Sequence, residues 1–191
     1  KEAKKEAERC LQCDDPPCVK GCPVEVPIPD FIAAIKNEEI EKAVELVKSK
    51  NNLPAICGRV CPQEEQCEDR CVLGNNFEPV AIGRLERFVG DEAIKKNKEN
   101  KKVQRITEKT KKVAVVGSGP AGLTASGELA RMGYKVTLFE ALHEAGGVLR
   151  YGIPEFRLPK SILEKEIEGI KKLGVEIKLD MVIGKILTIE E

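Results

Sequence analysis

Several residue types that would favour other interpretations are scarce in this 191-residue chain. It has no Trp, two Tyr, five Phe and a single His, so a metal site built on several histidines is excluded. Its 32 basic and 32 acidic residues cancel, which excludes a global field favouring nucleic acid or a membrane surface. No run approaches the roughly 20 apolar residues of a membrane span, and no signal peptide is visible. We therefore expect a cytoplasmic protein that binds neither nucleic acid nor membrane.

Cysteine is the exception, because all eight cysteines lie between positions 10 and 71 and the following 120 positions contain none. Disulfides are rare in a cytosolic chain, and stabilising disulfides would not normally stop at one point of the sequence. The first group has the pattern Cys10-x2-Cys13-x4-Cys18-x3-Cys22-Pro23. The second has the pattern Cys57-x3-Cys61-x5-Cys67-x3-Cys71, with Pro62 directly after Cys61. Thiolates spaced in this way favour iron–sulfur clusters or zinc.

The spacing favours two 4Fe–4S clusters. A cubane cluster needs four converging ligands, and ferredoxin-type motifs end in a Cys-Pro whose cysteine ligates the other cluster. Cys22-Pro23 and Cys61-Pro62 fit this pattern, which predicts that the two groups exchange ligands. Structural zinc sites more often show two close pairs of ligands. A zinc-stabilised scaffold or docking module without redox activity remains the alternative.

The first segment is helical by pattern. Asp30 has the chemistry of an N-cap residue before a short helix. A second helix is predicted over 38–50, with Ile40, Ala43 and Val47 on one apolar face. These short amphipathic helices predict a small helical core around the cysteines.

Glu86 lies on the apolar side of a further predicted helix, together with Ile82 and Val89. A lone buried carboxylate is costly, so this side chain needs a partner. Arg84 and Arg87 are its neighbours in sequence but point elsewhere on a helix. Two interpretations remain open, a salt bridge at the rim or an oxygen ligand to a cluster.

Residues 95–112 form a charged stretch with almost no apolar content. We interpret it as a solvated linker, because no aromatic residues interleave to stack on bases. It divides the chain into a helical domain over 1–108 and a second domain over 109–191. The chain begins without Met inside a helical pattern, so we expect a piece of a longer protein.

Beyond the linker, the pattern becomes that of alternating strands and helices. A buried strand is predicted over 112–116, a helix over 123–132 and a second strand over 134–140. A helix over 161–173 and strand-like residues over 175–183 follow. This order, with about 30 residues in each β–α–β unit, predicts a parallel sheet.

A glycine-rich turn of the form G-x-G-x-x-G connects the first strand to its helix. It consists of Gly117, Ser118, Gly119, Pro120, Ala121 and Gly122. In this position the motif is typical of a dinucleotide site, where the pyrophosphate meets the helix N-terminus. Glu140, at the end of the next strand, would accept hydrogen bonds from ribose hydroxyls and repel a 2′-phosphate. The pattern favours FAD or NAD over NADP, and leaves an NAD-binding regulator as a third hypothesis.

Four segments carry a family resemblance: EAERCLQCDDPPCVKGCPVEVPIPDFI, NNLPAICGRVCPQEEQCEDRC, KKVAVVGSGPAGLTAS and AGGVLRYGIPEFRLPK. They resemble the small subunit of NADPH-dependent glutamate synthase and, equally, the large subunit of electron-bifurcating NADH-dependent ferredoxin:NADP oxidoreductase. The N-terminal part of dihydropyrimidine dehydrogenase is a more distant relative by these motifs. The resemblance implies an α-helical double-cluster ferredoxin-like domain followed by part of an α/β Rossmann-type FAD-binding domain.

The resemblance also implies a ligand pattern. One 4Fe–4S cluster takes Cys10, Cys13, Cys18 and Cys71. The other takes Cys22, Cys61, Cys67 and, at a position where relatives have Gln or Glu, Glu86. Cys57 is then not a ligand.

For FAD, the resemblance points to the glycine turn and Glu140, and adds Gly147, Val148, Arg157 and Ile183. Relatives continue through a second glycine-rich domain that binds NADP(H). No residue here has the setting of a general acid or base, so no catalytic residue is predicted. The expected function is NAD(P)H-dependent electron transfer through FAD and the clusters. The expected partner is a larger redox subunit like that of glutamate synthase, or a flavoprotein small subunit.

Overall fold

The computed structural model describes residues 1–96 and 109–188. The chain divides into two compact units, Lys1–Glu99 and Asn100–Glu191. The predicted domain border at 108/109 and most of the charged stretch lie outside the described residues. None of the helices in the described ranges combines the length and the apolar character needed to cross a membrane.

The first unit is helical. Its α-helices are α1 (Glu2–Ala7), α2 (Pro17–Lys20), α3 (Ile28–Lys36), α4 (Ile40–Lys48), α5 (Pro54–Val60) and α6 (Ile82–Lys96). Two short 3-10 turns, Gln63–Glu65 and Val72–Asn75, lie between α5 and α6. The core of this unit is formed by apolar side chains of α1, α3, α4 and α6, and cysteines from both groups pack against it.

The prediction of Asp30 as an N-cap is wrong. Helix α3 already begins at Ile28, after Pro27, and Asp30 lies within its first turn. Pro29 explains the earlier start, because proline fixes φ near the helical value and lacks an N–H that would be unpaired there. The apolar face predicted for α4 is confirmed, since Ala43 and Val47 are fully buried.

Helices α5 and α6 pack at unusually close range. A Cβ atom on Gly58 would lie 2.4 Å from the backbone N of Arg87, and one on Gly90 would lie 2.5 Å from the backbone N of Ala55. Only glycine permits such an approach. The sequence pattern did not predict α5, because this helix has seven residues and contains a glycine.

Gly90→Ala is expected to destabilise the first unit. The added methyl would meet backbone atoms, which cannot rotate away, so the two helices must separate at a cost of about 1–3 kcal/mol. Urea unfolding of the variant and of the parent chain measures this loss. Gly169→Ala in the second unit is the control, because a Cβ there would have nothing within 4 Å. An unchanged free energy of unfolding for Gly90→Ala would contradict the close packing of α5 and α6.

The second unit is a β–α–β fold. Its elements are β1 (Lys112–Val116), α7 (Pro120–Arg131), β2 (Lys135–Phe139), α8 (Val148–Tyr151), α9 (Lys160–Lys172) and β3 (Glu176–Lys178). The three strands are parallel in the order β1-β2-β3. Since parallel strands end at the same edge, the residues that follow β1 and β2 lie side by side.

Two strand predictions need correction. Strand β1 is only half-buried, and Val116 at its end is 65% exposed. The reason is that β1 is an edge strand of the described sheet, and its alternate side chains face away from the helices. Val182 and Ile183 belong to no strand, because Ile183 forms only an isolated bridge to Leu187.

Candidate functional site

Four cysteines from both groups line one pocket of the first unit: Cys10, Cys13, Cys18 and Cys71. Cys10 follows α1 and Cys18 lies in α2, while Cys71 precedes the second 3-10 turn. The other walls are largely apolar side chains, including Ile28, Ile32, Val80 and Ile82. The pocket therefore collects the first predicted ligand set, in spite of the sequence distance between its members.

The electrostatics of this pocket call for a positive charge. Burial, together with the thiols of Cys10 and Cys71, raises the pKa of Cys18 to about 11. Burial also raises the pKa of Cys10. Several thiolates cannot coexist here unaided, and a metal centre held by these thiols would supply the compensating charge.

The members of the second predicted ligand set are linked by their electrostatic influence on one another. Burial, followed by the charges of Glu68, Cys22 and Glu86, raises the pKa of Cys67 to about 12. Glu86 also acts on the thiol of Cys61. The structure thus brings Cys22 of the first group towards residues of the second group and of α6.

Glu86 is 9% exposed on the buried face of α6. Burial raises the pKa of its carboxyl to about 7, and a hydrogen bond from Asn51 opposes that rise. Asn51 Nδ2 donates to Glu86 Oε1 over 2.7 Å. Arg87 instead pairs with Asp91, so the interpretation of Glu86 as a rim salt bridge is wrong.

Cys57 lies in the middle of α5, one turn before Cys61. Its Sγ is 3.6 Å from Asn51 Oδ1, and it also hydrogen-bonds to Cys61. This contact with Cys61, followed by burial, raises the pKa of Cys57 far above its usual value and lowers that of Cys61. Within the pair, Cys57 keeps its proton and Cys61 is the better metal ligand.

In the described ranges, no three His, Cys, Asp or Glu side chains form a group suited to a single metal ion. A zinc ion holds its thiolates at about 2.3 Å, whereas the ligands of a cubane bind four separate iron atoms and stand further apart. Thiols spread around a shared apolar pocket fit the larger group. The first donor set therefore fits a cluster better than a single ion.

In the second unit, the glycine turn connects β1 to α7. Gly117 has a φ of +93°, which favours glycine. A Cβ on Gly122 would lie 1.8 Å from the Gly117 carbonyl oxygen, so only glycine lets α7 start this close to the turn. Gly119 caps α7, and Pro120 is its first residue. The turn leaves the helix N-terminus accessible to an anionic group.

Glu140 is held at the end of β2 by the turn itself. Its Oε2 accepts hydrogen bonds from the backbone N of Ser118, over 2.8 Å, and from the Ser118 hydroxyl. Its Oε1 accepts from the backbone N of Leu142 over 2.9 Å. Burial would raise the pKa of Glu140, but these hydrogen bonds bring it below its usual value. The backbone N–H of Ala141 donates to the same carboxylate, so four donors hold Glu140 in place.

Ser118 has a different position from the one expected of a cofactor contact. Its side chain is fully buried, and its hydroxyl accepts a hydrogen bond from the backbone N of Gly146 over 2.8 Å. It therefore ties the glycine turn to the 146–148 segment. Its hydroxyl and its backbone N–H are thus both engaged within the protein.

The other predicted FAD residues are only partly brought together. Gly147 lies against the turn, because a Cβ on it would be 2.8 Å from Gly119 Cα. Val148 follows at the start of α8 and is 57% exposed. Arg157 is exposed in the segment before α9, and Ile183 is half-buried in its isolated bridge.

Residues 1–98 match the family described as dihydropyrimidine dehydrogenase domain II, 4Fe-4S cluster, which covers more than half of the chain. The chain belongs to this family. Residues 115–160 match the NAD(P)-binding Rossmann-like domain family, and this range contains the glycine turn and Glu140. A 4Fe–4S domain is therefore followed by an NAD(P)-binding Rossmann-like domain.

Curated relatives extend this similarity over nearly the whole chain. The NAD-dependent dihydropyrimidine dehydrogenase subunit PreT of Escherichia coli K12 is 44% identical over 98% of the chain and 45% of its own length. The glutamate synthase [NADPH] small chain of the same strain is 37% identical over 100% of the chain and 40% of its own length. The NADP(+)-dependent formate dehydrogenase subunit beta of Moorella thermoacetica is 42% identical over 92% of the chain and 27% of its own length.

The resemblance to the glutamate synthase small chain is confirmed. The sequence motifs indicated that dihydropyrimidine dehydrogenase is the more distant relative. The identity is, however, higher with the dihydropyrimidine dehydrogenase subunit, at 44%, than with the glutamate synthase small chain, at 37%. The chain spans less than half the length of each of these three relatives.

One residue of the site was not predicted from the sequence. Asn51 contacts both Glu86 and Cys57, but from sequence it only marks the end of a helix. The signal that could have found it is weak, namely a buried asparagine beside a proline-initiated helix that carries two cysteines.

Proposed function

We propose that this chain is the electron-transfer part of an NAD(P)H-dependent oxidoreductase. Electrons move between NAD(P)H, FAD and a partner subunit through two 4Fe–4S clusters. The observation that carries the proposal is the convergence of thiols from both cysteine groups, in a chain that also has a dinucleotide-binding turn.

The clusters supply one-electron chemistry when bound, and the chain holds and tunes them. The first ligand set is Cys10, Cys13, Cys18 and Cys71, and the second is Cys22, Cys61, Cys67 and Glu86. Burial, ligand type and hydrogen bonds to the ligands are the means by which the protein sets each potential. A carboxylate is a harder ligand than a thiolate, so the two clusters differ in potential.

FAD is the proposed dinucleotide. Hydride chemistry belongs to the flavin, and the role of the protein is to bind and orient it. The glycine turn would hold the pyrophosphate at the N-terminus of α7, and Glu140 Oε1 would accept from the adenosine ribose. Glu140 disfavours a 2′-phosphate, because its pKa is low and its negative charge is retained.

The proposed sources and acceptors of electrons lie outside the matched residues. The relatives are named as depending on NAD, NADPH or NADP(+), which supports NAD(P)H as the donor or acceptor of the whole protein. NADP(H) would bind in the region where these relatives extend beyond the match. Two of them are named as a small chain and a beta subunit, which supports a larger redox subunit as partner. The cytoplasm is the proposed compartment.

Cofactor identification on the full-length protein tests this function. The protein is purified without oxygen, its dinucleotide is released and identified by mass spectrometry, and its absorption is followed on addition of NADH or NADPH. We expect FAD, together with bleaching of the flavin and cluster bands by one of the two nucleotides. Release of NAD alone, or cofactors that neither nucleotide reduces, would contradict the proposal.

A further inference from the structure

Asn51 is a buried asparagine between α4 and α5, and its side-chain amide contacts three other residues. Its Nδ2 donates to Glu86 Oε1 over 2.7 Å. Its Oδ1 accepts from the backbone N of Leu53 over 2.9 Å and lies 3.6 Å from Cys57 Sγ. One amide group therefore joins the buried carboxylate of α6 to the extra cysteine of α5.

The orientation of this amide is fixed by the backbone. The N–H of Leu53 can only donate, so the oxygen of Asn51 must face it. The amide nitrogen must then face Glu86. The flipped amide would set its NH2 group against the Leu53 N–H and its oxygen against the Glu86 carboxylate. Both contacts would be repulsive, and the buried groups would lose their partners.

The fixed amide assigns a definite role to Glu86. Its nitrogen has only protons to offer, so the Glu86 oxygen facing it must be an acceptor, as a carboxylate ligand is. The 2.7 Å hydrogen bond holds this carboxylate in one orientation on the buried face of α6.

From this geometry we infer that Asn51 is a positioning residue that orients Glu86 as the fourth ligand of the second cluster. The inference rests on the proposed function, since it needs a cluster at the second ligand set. Asn51 does not touch the cluster. It acts by holding the Glu86 carboxylate with its amide nitrogen.

Asn51→Asp separates this role from a structural one. Ionised aspartate keeps an oxygen acceptor for the Leu53 N–H, so the start of α5 stays supported, but it has no donor for Glu86. The measurement is made at alkaline pH, because two neighbouring buried carboxyls share a proton at lower pH. The lost hydrogen bond and the added negative charge both stabilise the oxidised state of the nearby cluster. Redox titration of the full-length protein, followed by EPR, should show a more negative midpoint potential and an altered signal for one cluster only.

Asn37→Asp is the matched control. It adds the same charge at the exposed C-cap of α3, and neither cluster should respond. Asn51→Ser serves as a second variant in case Asn51→Asp does not fold. Its hydroxyl can still accept from the Leu53 N–H but is too short to replace the donor to Glu86. We expect a shift of the same cluster in the same direction, and a smaller one.

The outcomes distinguish this inference from the function on which it rests. If the parent protein contains two clusters and both keep their potentials and EPR signals in Asn51→Asp or Asn51→Ser, the role of Asn51 is refuted and the function stands. The role of Asn51 is also refuted, and the proposed function again stands, if Cys57→Ala removes the second cluster. If the parent protein contains no iron, the proposed function itself is refuted.

Discussion

Cys71→Ala is expected to remove the same cluster as Cys10→Ala, although the two residues belong to different cysteine groups. Both thiols line the pocket that also contains Cys13 and Cys18. Each variant should lose about four of about eight iron atoms per chain, since each 4Fe–4S cluster is held by ligands from both groups. Iron analysis together with EPR of the dithionite-reduced protein measures the loss and identifies the missing signal.

Cys67→Ala provides the matched control, because Cys67 lies four residues before Cys71 in the same group. Its thiol is influenced by Glu68, Cys22 and Glu86, and it does not line the first pocket. We expect it to remove the other cluster and to leave the signal that Cys71→Ala removes. If Cys67→Ala and Cys71→Ala eliminate the same signal, the exchange of ligands between the groups is wrong.

A similarly large contrast is expected within a single helical turn, between Cys61→Ala and Cys57→Ala. Cys61 ends α5, and its pKa is lowered by the hydrogen bond from Cys57, so its thiolate is the better ligand. Cys61→Ala should lose the second cluster, about four iron atoms per chain. Cys57→Ala should keep both clusters, because Cys57 keeps its proton in the hydrogen bond to Cys61.

Iron content and EPR of the two variants are compared after purification without oxygen. The Cys57→Ala protein is expected to retain both signals, with a modest change in the one that belongs to the second cluster. That change follows from the loss of a hydrogen bond to the Cys61 sulfur, which tunes cluster potentials. Loss of a cluster in Cys57→Ala, with retention of both in Cys61→Ala, would reverse the ligand assignment.

The sequence pattern predicted the parts of the site that depend on local periodicity. Ile82, Leu85 and Val89 mark the buried face of α6, and Glu86 lies on that face as expected. The Cys-Pro pairs pointed to Cys22 and Cys61 as the exchanged ligands, whereas the first pocket collects Cys71, which precedes no proline and was indicated only by the family resemblance. The order of strand, glycine turn and helix predicted a parallel sheet.

The parts that sequence could not predict depend on contacts between distant residues. Helix α5 forms because Gly58 and Gly90 allow it to pack tightly on α6, and no window of sequence contains that contact. Asn51 becomes part of the site through hydrogen bonds to α5 and α6. The burial of β1 was overestimated for the same reason, since β-branched composition does not reveal whether a strand lies at an edge.

Metal analysis of the chain purified without oxygen, combined with EPR before and after dithionite, tests the central claim most directly. We predict a brown protein with about eight iron atoms and matching sulfide, whose visible absorption bleaches on reduction and whose EPR spectrum shows two distinct clusters. A colourless protein with stoichiometric zinc and no iron would contradict the account and leave a non-redox scaffold in its place.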